Sequence, residues 1–97
     1  MKIKQSSVYI LSNKYDTVFY TGVTSSLRKR IWEHKNNLIK GFTQKYNVHK
    51  LVYYEVFDNI EEAIMKEKYI KGKKREYKKE LIKKANFKYE DLYESIL

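Results

Sequence analysis

An arginine, a histidine and a glutamate stand where helical periodicity calls for apolar side chains. Beyond Ser26, Leu27, Ile31 and Leu38 mark one face at spacings of four and seven. Arg30 and His34 fall on that same face, three and seven residues past Leu27. Further along, Ile60, Ala63, Ile64 and Ile70 set an apolar stripe with Glu67 near its middle. A carboxylate turned toward a core is costly unless a cation or a metal meets it. Each of the three also has a scaffold role open to it. Arg30 can snorkel to the rim, His34 can be a hydrogen-bonded half-buried side chain, and Glu67 can pair with Lys71 at i+4. A pair of that last kind normally sits on an outer face, which is not where Glu67 falls. Two helices that each aim charge at the interior suggest a cleft between them.

Tyrosines supply further candidate chemistry. Alternation puts Val18, Tyr20 and Gly22 on one face of a strand and Phe19, Thr21 and Val23 on the other. Tyr9 lies in the segment that would pair with it. With ten tyrosines in the chain, one alone carries little weight. Gly22 says more, because a glycine inside a strand permits close approach of a ligand or another backbone.

The elements that must position these residues are legible. Ser7–Ser12 reads as a buried strand, Asn13–Asp16 as turn residues and Val18–Thr24 as the second arm of a hairpin. Thr24-Ser25-Ser26 offers hydroxyl caps to a helix running to about Asn37. Leu38–Asn47 reads as a loop around Gly41, and Leu51–Phe57 as a third strand. Asp58 or Asn59 caps a helix from Ile60, Gly72 bends or breaks it, and a basic helical segment continues to Lys84. A short acidic helix follows from about Tyr89. The order β-β-α-β-α-α predicts an α+β fold in which helices pack on a three-stranded antiparallel sheet.

Composition bounds the rest. The chain has 97 residues, room for a single domain, and 42% of them are hydrophobic. It has no cysteine, which excludes disulfides and thiolate metal sites and fits a reducing cytoplasm. Apolar runs such as Leu51–Tyr54 are far too short for a membrane span, and Met1–Gln5 leads into no long apolar segment of the kind a signal peptide needs. The net charge is +9. From Lys66 to Lys84, ten Lys/Arg stand against three Glu, a net +7. That stripe, Lys71, Lys73, Lys74 and Lys78 among it, suits phosphate contacts without base reading. A solvated helix face is the plainer account of the same run.

Val8-Tyr9-Ile10, Tyr20-Thr21-Gly22, Arg30 eight residues past that glycine, His34 four later and Glu67 on the later helix form an ordered set. In that order and spacing the chain resembles the GIY-YIG nuclease family, in its compact bacterial single-domain branch, over roughly Ser7 to Leu92. Val8 replaces the glycine of the first motif and Thr21 the isoleucine of the second. Small members usually continue with an Asn-Pro step, where this chain has Asn86-Phe87.

The resemblance implies a metal-dependent endonuclease acting on nucleic acid, DNA in preference to RNA, in a DNA-repair setting. In it Glu67 is the sole protein ligand of one Mg²⁺ or Mn²⁺, and Arg30 donates to non-bridging phosphate oxygens. Tyr9 or Tyr20 deprotonates or orients the attacking water, with help from Arg30, His34 or the metal, since a free tyrosine titrates near 10. Gly22, Thr43, Lys45 and Tyr46 line the cleft. Two alternatives stand beside it: a non-catalytic nucleic-acid-binding module, and a nuclease subunit whose protein partner supplies specificity.

Overall fold

The computed structural model describes residues 5–97; the stretch considered for a signal peptide lies outside them except for Gln5. Three strands, β1 (Ser6–Ser12), β2 (Phe19–Thr24) and β3 (Lys50–Phe57), form an antiparallel sheet in the order β2-β1-β3. The helices are α1 (Leu27–Lys35), α2 (Phe42–Lys45), α3 (Ile60–Lys71) and α4 (Arg75–Ala85), with a final 3₁₀ turn at Tyr93–Ile96. The fold is α+β, and the main elements follow the expected order β-β-α-β-α-α.

β1 is central, and every one of its residues is buried, because both faces of the sheet are covered. Val8 and Ile10 point into one core with Tyr53 of β3, Ala63 and Ile70 of α3 and Ile82 of α4. Tyr9 and Leu11, one residue out of phase, point into the other with Ile31 of α1, Val48 and Leu51. Strict alternation thus divides β1 between an α3/α4 side and an α1 side.

The β1–β2 hairpin is closed by Asn13, whose side-chain carbonyl accepts from the backbone of Thr17 and Val18 at 2.8 and 3.1 Å. The outer edge of β3 is covered by the C-terminal segment. Leu92 N–H donates to the Leu51 carbonyl at 2.8 Å, and Asp91 accepts from the Leu51 N–H at 3.2 Å. The β1–β3 register shifts between Ile10 and Leu11, where Val52 is the extra residue. Asn86 satisfies the Val52 carbonyl with its amide N–H at 3.1 Å and exchanges two further hydrogen bonds with Glu90. Asn86 is therefore a buried strap that ties the chain's end to the sheet.

Several boundaries differ from expectation. Leu38–Asn47 is not wholly loop: Gly41, at φ 116°, leads into the single helical turn of α2, and Asn47, at φ 55°, follows it. Four residues are too few to show a helical period. α1 ends at Lys35, so Leu38 leaves the helical face and is 59% exposed. Ser26 holds the N-cap position of α1 without a side-chain cap bond. Thr24 Oγ1 instead accepts from Ser26 N–H at 3.0 Å. α3 is capped as read by Asn59, which accepts from Glu62 N–H at 2.9 Å, and stops before Gly72. The acidic helix expected from about Tyr89 is only the 3₁₀ turn at Tyr93–Ile96.

Candidate active site

Pairing of β1 with β2 sets Tyr9 opposite Gly22 and Leu11 opposite Tyr20. Tyr9, Tyr20 and Gly22 therefore share the α1 side of the sheet. The two tyrosine rings lie 6.3 Å apart, and each lies 5.7 Å from the ring of His34. Gly22 is needed for this arrangement. A β-carbon there would fall 2.5 Å from Cζ and from the hydroxyl oxygen of Tyr9. The close approach expected at this glycine is made by an aromatic side chain of the same sheet.

His34 is the hinge of a buried chain of polar groups. Its Nε2 is 3.0 Å from the Tyr9 hydroxyl and its Nδ1 is 3.1 Å from Thr43 Oγ1. Tyr9, His34 and Thr43 are all buried. A neutral imidazole has one donor and one acceptor nitrogen, so the chain runs in one direction at a time. Either the Tyr9 hydroxyl donates to Nε2 and Nδ1–H donates to Thr43, or the reverse holds. Burial, then the positive charges of Arg30 and of His49 when protonated, lower the His34 pKa to about 4. His34 is therefore neutral at pH 7.

Burial also raises the Tyr9 pKa, keeping the phenol protonated through the neutral range. The Tyr20 hydroxyl adds to that effect. Arg30 of α1 acts in the opposite sense, and Glu67 of α3 pushes the same way as burial. The Tyr9 hydroxyl is thus within Coulombic reach of a cation on one helix and a carboxylate on another.

Arg30 sits at the rim with its side chain 41% exposed, 3.5 Å from Glu33. Beside it is a polar recess lined by Thr24, Ser25, Ser26 and Lys29. Glu67 keeps its place on the inward stripe, with a side chain only 15% exposed. Its carboxylate meets Lys71 at 3.5 Å, and Lys71 is half exposed. The i+4 pair considered as the scaffold role is therefore present, reaching outward from a half-buried carboxylate. Among the described residues, no group of three or more His, Cys, Asp and Glu gathers to hold a metal.

The remaining sequence candidates divide. Thr43 joins the buried chain instead of facing a ligand. Tyr46, at the C-cap of α2, is exposed, with Lys45 Nζ 5.3 Å from its ring centre. Lys73 lies over the rings of Tyr69 and Tyr77, outside this cluster, and Lys74 holds the N-cap position of α4 without a side-chain cap bond while Lys78 lies within that helix. The sequence reading missed Phe42, which stacks on Tyr20 with ring centres 6.2 Å apart and planes at 28°. An aromatic beside a glycine in a polar loop was the available signal.

Comparison with known proteins identifies the family. Residues 5–81 match the GIY-YIG catalytic domain. A UPF0213 protein of Clostridium perfringens is 42% identical over 89 residues, covering 92% of this chain and 95% of that protein. One from Staphylococcus saprophyticus is 37% identical over 75 residues, covering 77% and 90%. The solution NMR structure of a UPF0213 protein from Bacillus halodurans superposes with a TM-score of 0.58 at 30% identity, covering 90% of this chain and 92% of that one. With the family domain spanning most of the chain and small relatives aligned nearly end to end, this protein belongs to the GIY-YIG family, among its small single-domain UPF0213 members.

Proposed function

We propose that this protein is an endonuclease that hydrolyses phosphodiester bonds in nucleic acid, DNA in preference to RNA, with one Mg²⁺ or Mn²⁺ held by Glu67. The observation that carries this reading is the Glu67 carboxylate, which keeps its inward place on α3 with the side chain only 15% exposed. A single half-buried carboxylate fits a hard divalent ion that keeps water and phosphate oxygens as its other ligands. The lack of any His or Cys cluster around it among the described residues fits neither structural nor catalytic zinc. When bound, such an ion supplies charge neutralisation at the phosphate oxygens.

The chain's own groups do the rest. Arg30, at the rim beside the polar recess, donates to non-bridging phosphate oxygens as negative charge builds. Lys71 exchanges its contact with Glu67 for solvent or substrate phosphate. Tyr9 is protonated at neutral pH, so it orients the attacking water through its hydroxyl. His34, kept neutral by burial and by Arg30, holds the Tyr9 hydroxyl in place through Nε2 and does not store the proton that the water gives up. Tyr20 walls the same space. Lys73, Lys74 and Lys78 hold flanking phosphates.

The Lys71–Glu67 pair favours a second reading, a binding module in which Glu67 is scaffold. Cleavage of single-stranded, duplex, flapped and branched DNA and RNA with Mg²⁺, Mn²⁺ or EDTA separates the two, run on wild type, Arg30→Ala and Glu67→Gln. The nuclease reading expects metal-dependent cutting that both substitutions abolish, and binding that survives them. It also expects Glu67→Gln to change stability by less than about 1 kcal/mol, since the lysine left unpaired is solvent-exposed. Wild type that binds with steep salt dependence and cuts nothing, or a Glu67→Gln protein that still cuts, assigns Glu67 to the scaffold.

A further inference from the structure

The single turn of α2 divides its side chains between two jobs. Thr43 turns inward to His34. Phe42 and Tyr46, four residues apart and so on one face, turn outward and are 46% and 44% exposed. Their ring centres are 4.8 Å apart, and Phe42 continues the stack onto Tyr20. Tyr20 belongs to the fringe of the α1-side core, and the row runs outward from it through Phe42 to Tyr46. About half of each ring's surface is left to solvent, and that exposed aromatic face needs an account of its own.

The chemistry around them is one-sided. From Leu38 to Asn47 the chain carries Lys40 and Lys45 and no carboxylate. Both lysines are exposed, and Lys45 already lies over the Tyr46 ring. Half-exposed aromatic faces flanked by lysines, running on from a tyrosine of the candidate site, match the surface that binds unpaired nucleotides. Such surfaces hold bases on aromatic faces and the phosphates between them on cations. A base inside a continuous duplex has no free face to offer.

We infer that Phe42 and Tyr46 form a stacking platform for an unpaired nucleobase next to the scissile phosphate. The substrate class is then nucleic acid with an unpaired nucleotide at the cut, such as a single strand, a flap or a frayed end. This inference rests on the nuclease reading for its location, but not for its test, which measures binding alone.

The probes are a fluorescent oligothymidylate, the same strand with abasic sites, and a duplex of equal length, titrated in EDTA at several salt concentrations. Phe42→Leu and Tyr46→Leu should each weaken oligothymidylate binding by about 5- to 100-fold, with little change in the salt slope. Phe42→Tyr should bind as wild type does. The abasic strand should bind weakly and be indifferent to Phe42→Leu, and so should the duplex. Thermal melts of each variant confirm that it is folded, as substitutions at half-exposed positions should leave it. Equal losses on strand and duplex would overturn the platform, as would a Phe42→Leu protein that binds oligothymidylate like wild type. A protein partner covering the rings predicts that second result. Stacking without any metal-dependent cutting would defeat the nuclease reading and leave the platform standing.

Discussion

The ring of Tyr9 occupies the space a side chain would take at Gly22, with a β-carbon there falling 2.5 Å from the tyrosine hydroxyl. The ring cannot easily yield, because it is buried and its hydroxyl is held 3.0 Å from His34. Gly22→Ala should therefore destabilise the protein by about 1–3 kcal/mol, the usual cost of overpacking. It should also reduce cleavage beyond what the lower stability explains. Urea denaturation with single-turnover assays at low temperature checks both. An alanine variant of wild-type stability and rate would show that the Tyr9–His34 contact is loose.

Thr43 acts on the reaction through His34, as a positioning residue. Thr43→Val keeps the shape but leaves a buried ring nitrogen without a partner, at a cost of about 1–3 kcal/mol. It should lower kcat by about 10-fold or more and leave KM nearly unchanged. Thr43→Ser should restore much of both. Loss of stability without a change in kcat would confine Thr43 to the scaffold.

The depressed pKa of His34 makes a pH prediction with a definite sign. The folded state disfavours the proton, so His34 contributes stability above its unfolded pKa near 6.5. That contribution falls away as pH drops toward the folded value of about 4, because the unfolded chain binds the extra proton across this window. The full effect is about 3 kcal/mol. Unfolding free energies measured from pH 7 to 4 should fall more steeply for wild type than for His34→Gln, by up to one proton's slope. Parallel curves would mean that His34 is readily protonated in the folded protein.

The lysines of the α3–α4 region should act through charge alone. Reversing Lys73, Lys74 and Lys78 to Glu should weaken binding to all sequences alike. It should also flatten the salt dependence by roughly 0.9 in log-log slope for each phosphate that is no longer neutralised. Anisotropy titrations against two unrelated sequences test this. Unchanged affinity in the triple variant would return the stripe to solvent.

The order of the main elements, the sheet and the helix carrying Arg30 and His34 were decided by local rules visible in the chain. A short run of buried character wrote β1, β-branched and aromatic residues wrote β2, Asn13 and Asn59 wrote a turn and a cap, and Gly72 wrote the end of α3. The off-pattern Arg30, His34 and Glu67 stood out because a helical period leaves no other place for them than the inward or rim face. Tertiary structure decided what each met. That Gly22 makes room for Tyr9, that Thr43 turns inward to His34, and that Asn86 ties the chain's end to the extra residue in β3 are contacts between distant positions. They depend on strand register and on the packing of whole elements, which no local period encodes. α2 escaped notice for a related reason: one helical turn is shorter than the repeat that would announce it, and only its place beside Tyr20 and His34 gives its residues their roles.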